Sequence, residues 1–262
     1  DIFEGGLLDA GDPISARGEP RRIDINGRTV IIRLISAQGL VGLDPDDPRK
    51  AVQFLEQIGL DPAEASRLAA RLGDYADGDD LRRLGGAERD TYPEGRAPAN
   101  QPMRSPSELC AVLGWETLPL CQEDARLMDL YFTVTPGAAT TPRFIPDHVL
   151  EMLFDDAPAR QRMQMQFAQQ RVSNFADLGL DGWDGVYEGE YGYSSLGAEF
   201  LILTHEPQAS LVLAALVSLT PGAIAAPYQT TFDFVIGGDR VEQEFGLESA
   251  DDLEEFPLPE PP

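Results

Sequence analysis

Residues 22–34 read Arg-Ile-Asp-Ile-Asn-Gly-Arg-Thr-Val-Ile-Ile-Arg-Leu. Asn26-Gly27 is a strong signal for a two-residue turn, and the residues on both sides of it have strand character. The stretch therefore predicts a β-hairpin within residues 20–36. An isolated hairpin is marginally stable at best, so it needs further strands to complete a sheet.

The strands that can complete this sheet come much later in the chain. Strand character returns at residues 196–206, 209–219 and 227–237. In the last of these segments Phe232, Phe234 and Ile236 share one face, because side chains alternate along a strand. The sequence therefore predicts an α+β protein whose antiparallel sheet is interrupted by a large insertion.

The insertion has the pattern of an all-helical domain that opens with a helical hairpin. Pro48 suits the first turn of one helix, which ends at Gly59, and Asp61-Pro62 begins a second helix that ends at Gly73. Val52, Leu55 and Ile58 would form the buried face of the first helix. Further helices are expected at 105–114, 122–131, 146–155 and 158–170.

These patterns set the expected domain boundaries. A discontinuous α/β domain comprises residues 1–43 plus 190–247, and the inserted helical domain comprises residues 44–189. Residues 248–262 are acidic, end in Pro-Leu-Pro-Glu-Pro-Pro, and are expected to form a disordered tail.

The charge of the chain excludes several classes of partner. The 262 residues include 20 basic and 45 acidic ones, for a net charge of −25. Such a surface repels nucleic acids and anionic lipid headgroups, so we expect no nucleic-acid partner. No apolar run reaches the roughly 18–20 residues of a membrane span. The chain starts at Asp1 without a signal peptide, as a piece of a longer protein would.

Cys110 and Cys121 are the two cysteines of the chain. Their close spacing fits either a small disulfide or two ordinary buried thiols, and the acidic, lysine-poor composition favours the disulfide. A disulfide would indicate an oxidising compartment. The spacing fits no zinc pattern, and His148 and His205 are not clustered with the cysteines.

The densest group of acidic residues lies between Asp74 and Tyr92. Calcium prefers six to eight oxygen ligands, which acids in a glycine loop can supply. In an EF-hand register that starts at Asp77, Asp79 and Glu88 occupy ligand positions, but Arg82 stands where glycine is required. The loop is therefore no EF-hand, and both another calcium loop and a solvated acidic turn stay open.

Other candidate sites are weaker. A second acidic loop carries Asp181, Asp184, Glu188 and Glu190 and has the character of an exposed turn. Nucleophile-elbow, Walker and zinc-protease motifs are absent from the sequence. His148 and His205 are expected to be structural, and Trp115 and Trp183 are expected to pack in the core.

Five ordered elements within residues 74–114 carry a family resemblance. They are Asp74-Tyr75-Ala76-Asp77-Gly78-Asp79, Gly86-Ala87-Glu88, Tyr92, Ala99-Asn100-Gln101-Pro102, and Glu108-Leu109 with Gly114. The pattern resembles the K-type minor pseudopilin of the bacterial type II secretion system (general secretion pathway protein K). Tyr75 departs from it, because the family usually has tryptophan there.

The resemblance implies a pilin-like sheet with a helical-hairpin or SAM-like insertion, and calcium bound by Asp77, Asp79, Glu88 and Asp90. It implies a non-enzymatic subunit at the tip of the periplasmic pseudopilus that assembles with I-type and J-type minor pseudopilins. An N-terminal helix absent from this chain would anchor it in the inner membrane. Secreted substrates and the outer-membrane channel are further candidate partners.

Two alternatives come from other functional classes. One is a secreted calcium-dependent binding module, and the other is a secreted hydrolase that acts through carboxylates. Pairs of carboxylates carry little weight for the hydrolase, because a chain with 45 acidic residues contains them by chance.

Overall fold

The chain divides into two units in a computed structural model. The model describes residues 16–134, 139–154, 156–169, 171–180, 182–183, 199–207, 209–219, 228–245 and 250–256. The first unit comprises residues 1–39, 146–148 and 193–262, and the second comprises residues 40–145 and 149–192. The sequence placed the corresponding domain boundaries at 43/44 and 189/190.

The first unit is built on a five-stranded antiparallel sheet in the order β1-β2-β5-β6-β7. Its strands are β1 (Arg17–Ile25), β2 (Arg28–Ser36), β5 (Glu199–His205), β6 (Leu211–Leu219) and β7 (Tyr228–Gly237). The prediction that strands from both ends of the chain form one sheet is therefore confirmed, and the protein is of the α+β class.

The predicted hairpin turn is present between β1 and β2. Asn26 and Gly27 have φ angles of 52° and 77°. Two successive positive φ values characterise the tight hairpin turn that Asn-Gly favours. Ile25 pairs with Arg28 across the turn, which fixes the register of the hairpin.

One face of the sheet carries the core of the first unit. Ile35 of β2, Leu201 of β5 and Val212 of β6 are buried on this face. Helix α7 (Gly238–Phe245) follows β7 directly, and the guanidinium of Arg33 lies 5.1 Å from the ring centre of Phe245. The nearly buried Arg33 is accommodated because it also donates a hydrogen bond to the carbonyl of Gly18 at 2.8 Å.

The C-terminal segment differs from the expected disordered tail. The backbone N–H of Arg22 donates to the carbonyl of Glu254 at 3.0 Å, and the N–H of Phe256 donates to the carbonyl of Arg22 at 2.7 Å. Arg21 and Arg22 also form ion pairs with Glu254 and Glu255. Residues 254–256 thus lie along β1, where backbone hydrogen bonds and opposite charges join them to Arg21 and Arg22. Residues 257–262 lie outside the described residues.

The second unit opens with the predicted helical hairpin, α1 (Pro48–Gln57) and α2 (Pro62–Ala76). Asp47 and Asp61 cap the two helices, and a proline follows each cap at the first helical position. The buried face of α1 is formed by Ala51, Phe54 and Leu55, whereas Val52 and Ile58 are only half-buried. The predicted face is therefore rotated relative to the observed one.

The prediction that α2 ends at Gly73 is wrong. The helix continues for almost another turn through Asp74, Tyr75 and Ala76, all of which are buried. One glycine in a helix costs about 1 kcal/mol relative to alanine, and burial of the Tyr75 ring outweighs this cost. The absence of a side chain at Gly73 leaves room for Arg83, whose Cζ would be 2.9 Å from an added Cβ.

Further helices follow in the described part of the second unit. They are α3 (Pro119–Glu123), α4 (Met128–Tyr131), α5 (Asp147–Leu153, whose first residues belong to the first unit) and α6 (Ala157–Ala168), with 3₁₀ turns between them. Within the described residues, no helix is long and apolar enough to cross a membrane. The expectation of an all-helical insertion is not confirmed, because β3 (Val41–Gly42) and β4 (Phe132–Thr133) form a short parallel pair.

The core of the second unit is aromatic. Phe54 and Phe132 pack edge to face with their ring centres 5.0 Å apart. Trp115 is fully buried and donates its ring N–H to the carbonyl of Leu68 at 3.0 Å. Trp183 is also buried and lies 5.7 Å from the ring of Phe175. Both tryptophans therefore pack in the core, as predicted.

A capping box and a disulfide organise the segment after residue 104. Ser105 and Glu108 form a capping box at the start of the helix predicted at 105–114, although the helix, Pro106–Ala111, is of the 3₁₀ type. Cys110 of this helix is joined to Cys121 of α3 in a disulfide. The 3₁₀ helix and α3 are thereby linked covalently.

Asp129 of α4 is a buried carboxylate beside this segment. Its Oδ1 accepts the backbone N–H of Ser107 at 2.8 Å. Burial raises the pKa of Asp129 to about 6, although the bonds from Ser107 oppose this rise. The negative charges of Asp124 and Glu108 act in the same direction as burial.

The raised pKa predicts a pH-dependent cost at Asp129. The pKa of Asp129 in the folded state lies above its ordinary value, so the folded state keeps this proton at pH values where the unfolded chain has lost it. The free energy of unfolding therefore falls as the pH rises from about 4 to about 6. Asp129→Asn does not have this cost. We therefore expect the difference in unfolding free energy between the variant and the parent to shift in favour of the variant by about 2–3 kcal/mol as the pH rises from 4 to 7.5, measured by urea unfolding. Asp46→Asn, at an exposed position, is the control. A difference that is independent of pH would contradict the prediction.

The disulfide predicts a measurable stabilisation. It closes a loop with a sequence separation of 11 residues, for which the loss of chain entropy in the unfolded state is worth about 3 kcal/mol. The double variant Cys110→Ser, Cys121→Ser should lose about this free energy of unfolding in denaturant titrations without reductant. With reductant, the parent should fall to the same value, and a parent that is insensitive to reductant would argue against the bridge.

Candidate metal centre

The acidic loop begins at the buried carboxylate of Asp74, in the last turn of α2. The side chain of Asp74 is fully buried. Gly86 lies against it so closely that an added Cβ would be 2.0 Å from Oδ2 of Asp74. This contact explains why glycine precedes Ala87 and Glu88 in the quoted motif, since no larger residue fits there without moving Asp74.

Arg83 supplies the positive charge next to Asp74. Its Nη1 donates to Oδ1 of Asp74 at 3.0 Å and also to Oδ2 of Asp77. Its backbone N–H donates to the Asp74 carboxylate at 3.2 Å. Burial alone would lower the pKa of Arg83, but the hydrogen bonds that Arg83 donates to Asp74 and Asp77 raise it overall. One guanidinium therefore bridges two carboxylates of the loop.

Glu88 differs from Arg83, because its carboxylate is buried and no donor among the described residues reaches it. The residue is 5% exposed, and within the described residues both carboxylate oxygens are buried without a hydrogen-bond donor. Burial raises the pKa of Glu88, and the negative charges of four aspartates raise it further: Asp74, Asp77, Asp80 and Asp79. A buried, unpaired carboxylate is costly unless a cation or proton neutralises it.

Asn100 joins a second loop to the acidic one. Its Nδ2 donates to the carbonyl of Asp79 and to Oδ1 of Asp80, both at 3.2 Å, and its backbone N–H donates to the carbonyl of Tyr75 at 3.0 Å. Its Oδ1 is buried, with no donor among the described residues. The sequence analysis named Asn100 only as part of the Ala-Asn-x-Pro motif and did not identify its side-chain oxygen as a candidate metal ligand.

The four predicted metal ligands have different environments. Asp77 and Asp79 act electrostatically on Glu88, so these three belong to one cluster. Oδ1 of Asp79 accepts the backbone N–H of Leu81 at 2.7 Å. Asp90 is exposed and paired with Arg82, and the hydrogen bond from Arg82 lowers the pKa of Asp90. The charges of Asp77 and Asp79 thus raise the pKa of Glu88, whereas Asp90 forms an ion pair with Arg82.

The unpartnered atoms of the cluster share one chemistry. They are all oxygens: both Oε atoms of Glu88, Oδ1 of Asp77 and Oδ1 of Asn100. Hard cations such as calcium bind oxygen ligands of these types. In the described part of the chain, however, no three His, Cys, Asp or Glu side chains are arranged to hold a metal ion. These oxygens therefore suit calcium as ligands, while Arg83 donates hydrogen bonds to two of the carboxylates, those of Asp74 and Asp77.

The other candidate residues have structural surroundings or lie outside the described residues. His148 is buried 4.5 Å from the ring of Phe245, and Nδ1 of His205 lies 3.1 Å from the carbonyl of Glu206. Burial lowers the pKa of His205. The second acidic loop, with Asp181, Asp184, Glu188 and Glu190, lies outside the described residues.

Comparisons with known proteins agree with the sequence pattern. Residues 30–120 match the family model described as type II secretion system (T2SS), protein K. The structure is similar to a chain in the crystal structure of the GspK-GspI-GspJ complex from the enterotoxigenic Escherichia coli Type 2 Secretion System. The TM-score is 0.52 at 16% identity, and the match covers 83% of each chain. No curated protein matches the chain.

The structural likeness shows a shared fold, and the family match covers every element of the motif between Asp74 and Gly114. The resemblance found in the sequence is therefore confirmed over residues 30–120, which match the protein K family of the type II secretion system.

Proposed function

We propose that this minor pseudopilin acts at the tip of the periplasmic pseudopilus and assembles there with I-type and J-type minor pseudopilins. The observation that carries the proposal is the match of residues 30–120 to the protein K family. The similarity in fold to a chain of a GspK-GspI-GspJ complex supports the choice of partners. The role is one of binding and assembly, without catalysis.

The inserted unit supports a place at the end of the fibre. Residues 40–145 and 149–192 form a unit with its own aromatic core in addition to the five-stranded sheet. Subunits in the middle of a helical fibre have neighbours above and below, which leaves little room for so large an addition. At the tip one side is free. Secreted substrates and the outer-membrane channel are the partners that could be met there.

The disulfide supports a periplasmic location. Disulfides persist in the bacterial periplasm and are rare in the cytosol. Cys110 and Cys121 form such a bond in the second unit. We propose that an N-terminal helix outside this chain anchors the protein in the inner membrane, so that the two units project into the periplasm.

We further propose that the acidic loop binds calcium through Asp77, Asp79, Glu88 and the side-chain oxygen of Asn100. Support comes from the buried oxygens for which the described residues supply no donor, and from the repulsion among the carboxylates. Bound calcium would supply positive charge and bring these oxygens together. Asp90, which the family resemblance also suggested, is not included because it is exposed and paired with Arg82.

Assembly can be tested by purification of mixtures. The chain, combined with the I-type and J-type subunits of the same secretion system, should elute from a size-exclusion column as one ternary complex. The I–J pair without this chain is the control. Separate elution of all three proteins at micromolar concentrations would contradict the proposed partners and would favour a free-standing secreted module.

Calcium binding predicts different melting behaviour for two variants. Glu88→Gln removes a buried, unpaired charge, so it should melt at or above the parent temperature in chelator and gain little from calcium. The parent should gain about 2.7 kcal/mol at a calcium concentration 100 times its Kd. Asp90→Asn, in the exposed ion pair, is the matched control and should respond as the parent does. Equal melting of the parent with calcium and with chelator would refute the site.

A further inference from the structure

Arg83 is the basic residue that enters the acidic loop. Its side chain is 39% exposed, whereas the side chains of Asp74 and Asp77 are 0% and 18% exposed. The neighbouring Arg82 pairs instead with the exposed Asp90. The two arginines follow each other in the chain, but only Arg83 reaches the buried carboxylates.

The position of Arg83 is maintained by its surroundings. Its Nη1 contacts Asp74 and Asp77 together, and its backbone N–H contacts Asp74 as well. Gly73 lies beneath the guanidinium, since an added Cβ would be 2.9 Å from Cζ and 3.0 Å from Nε. The loop is therefore shaped to receive this side chain, and the contact is not a chance pairing of surface charges.

This contact uses part of the charge that a metal ion would need. One oxygen of Asp77 accepts a hydrogen bond from Arg83, and the other is buried with no donor among the residues that the structure describes. A carboxylate that is already neutralised by a guanidinium attracts a second cation less strongly, because the two positive charges repel each other. Arg83 and a cation bound at Asp77 thus compete for the negative charge of the same carboxylate.

We propose that Arg83 is a tethered counter-ion that stabilises the acidic loop without calcium and lowers its affinity for calcium. The inference rests on the calcium site proposed above. It assigns a regulatory role to a residue outside the ligand set: Arg83 sets the calcium concentration at which the loop responds. A purely supporting role, in which Arg83 orients Asp77 for binding, has the opposite consequence, since its removal would weaken calcium binding.

Two variants remove the contact in different ways. Arg83→Gln deletes the charge. Gly73→Ala keeps the charge but places a methyl group where the end of the Arg83 side chain lies, and it fits a helix because alanine has the higher helix propensity. The matched control is Arg82→Gln, which removes the adjacent charge from the exposed pair with Asp90.

The experiment is calorimetric titration of the full 262-residue chain with calcium chloride, together with thermal melting in chelator. We expect Arg83→Gln to bind calcium about tenfold more tightly than the parent, because a hydrogen-bonded ion pair that is partly exposed has moderate strength. It should also melt at a lower temperature in chelator. Gly73→Ala should tighten binding severalfold, and Arg82→Gln should stay within about twofold of the parent, since its contact is on the surface.

The outcomes separate this inference from the site on which it rests. If the parent binds calcium and both Arg83→Gln and Gly73→Ala bind it equally or more weakly, the proposed role of Arg83 is overturned and the calcium site stays in place. No binding by the parent or by either variant would refute the site, and the inference with it. Tighter binding by Gly73→Ala alone would still support the inference if Arg83→Gln proved to be unfolded.

Discussion

The pairing of β2 with β5 is the constraint that organises the whole chain. Ile35 lies opposite Leu201, and Ile31 lies opposite His205, so strands more than 160 residues apart in the chain become neighbours. Everything between them has to leave the sheet after residue 36 and return to the adjacent position. Closing a loop of this length costs entropy only logarithmically, so a large insertion is compatible with a stable sheet. Sheet contacts at such separation are expected to form slowly.

Within the inserted unit, the packing of α2 decides where negative charge is buried. The helix extends past Gly73 because Tyr75 and Ala76 enter the core, and this extension carries Asp74 to a fully buried position. A buried aspartate needs hydrogen bonds and a positive charge, which Arg83 supplies. Glu88 lies nearby, and no donor in the described part of the chain reaches its carboxylate. The electrostatics of the loop are thus a consequence of helix packing.

Local signals in the sequence predicted local structure well. Asn26-Gly27, Pro48 and Asp61-Pro62 act through neighbouring backbone groups, so their effects can be derived from a few residues. Gly73 and Asn100 could not be interpreted in this way. The first is covered by Arg83 and the second bonds to Asp79, and both contacts depend on tertiary structure.

The segment that ends at Phe256 has a consequence for assembly. An exposed edge strand can pair with strands of other molecules, which leads to aggregation. The backbone N–H and carbonyl of Arg22 in β1 are already bonded to residues 254 and 256, so the sheet is closed to extension at that point. In the proposed assembly, where subunits would meet in one defined geometry, this closure is an advantage. Lateral growth of the sheet would otherwise compete with ordered packing, and here the chain blocks part of that edge with its own C-terminal residues.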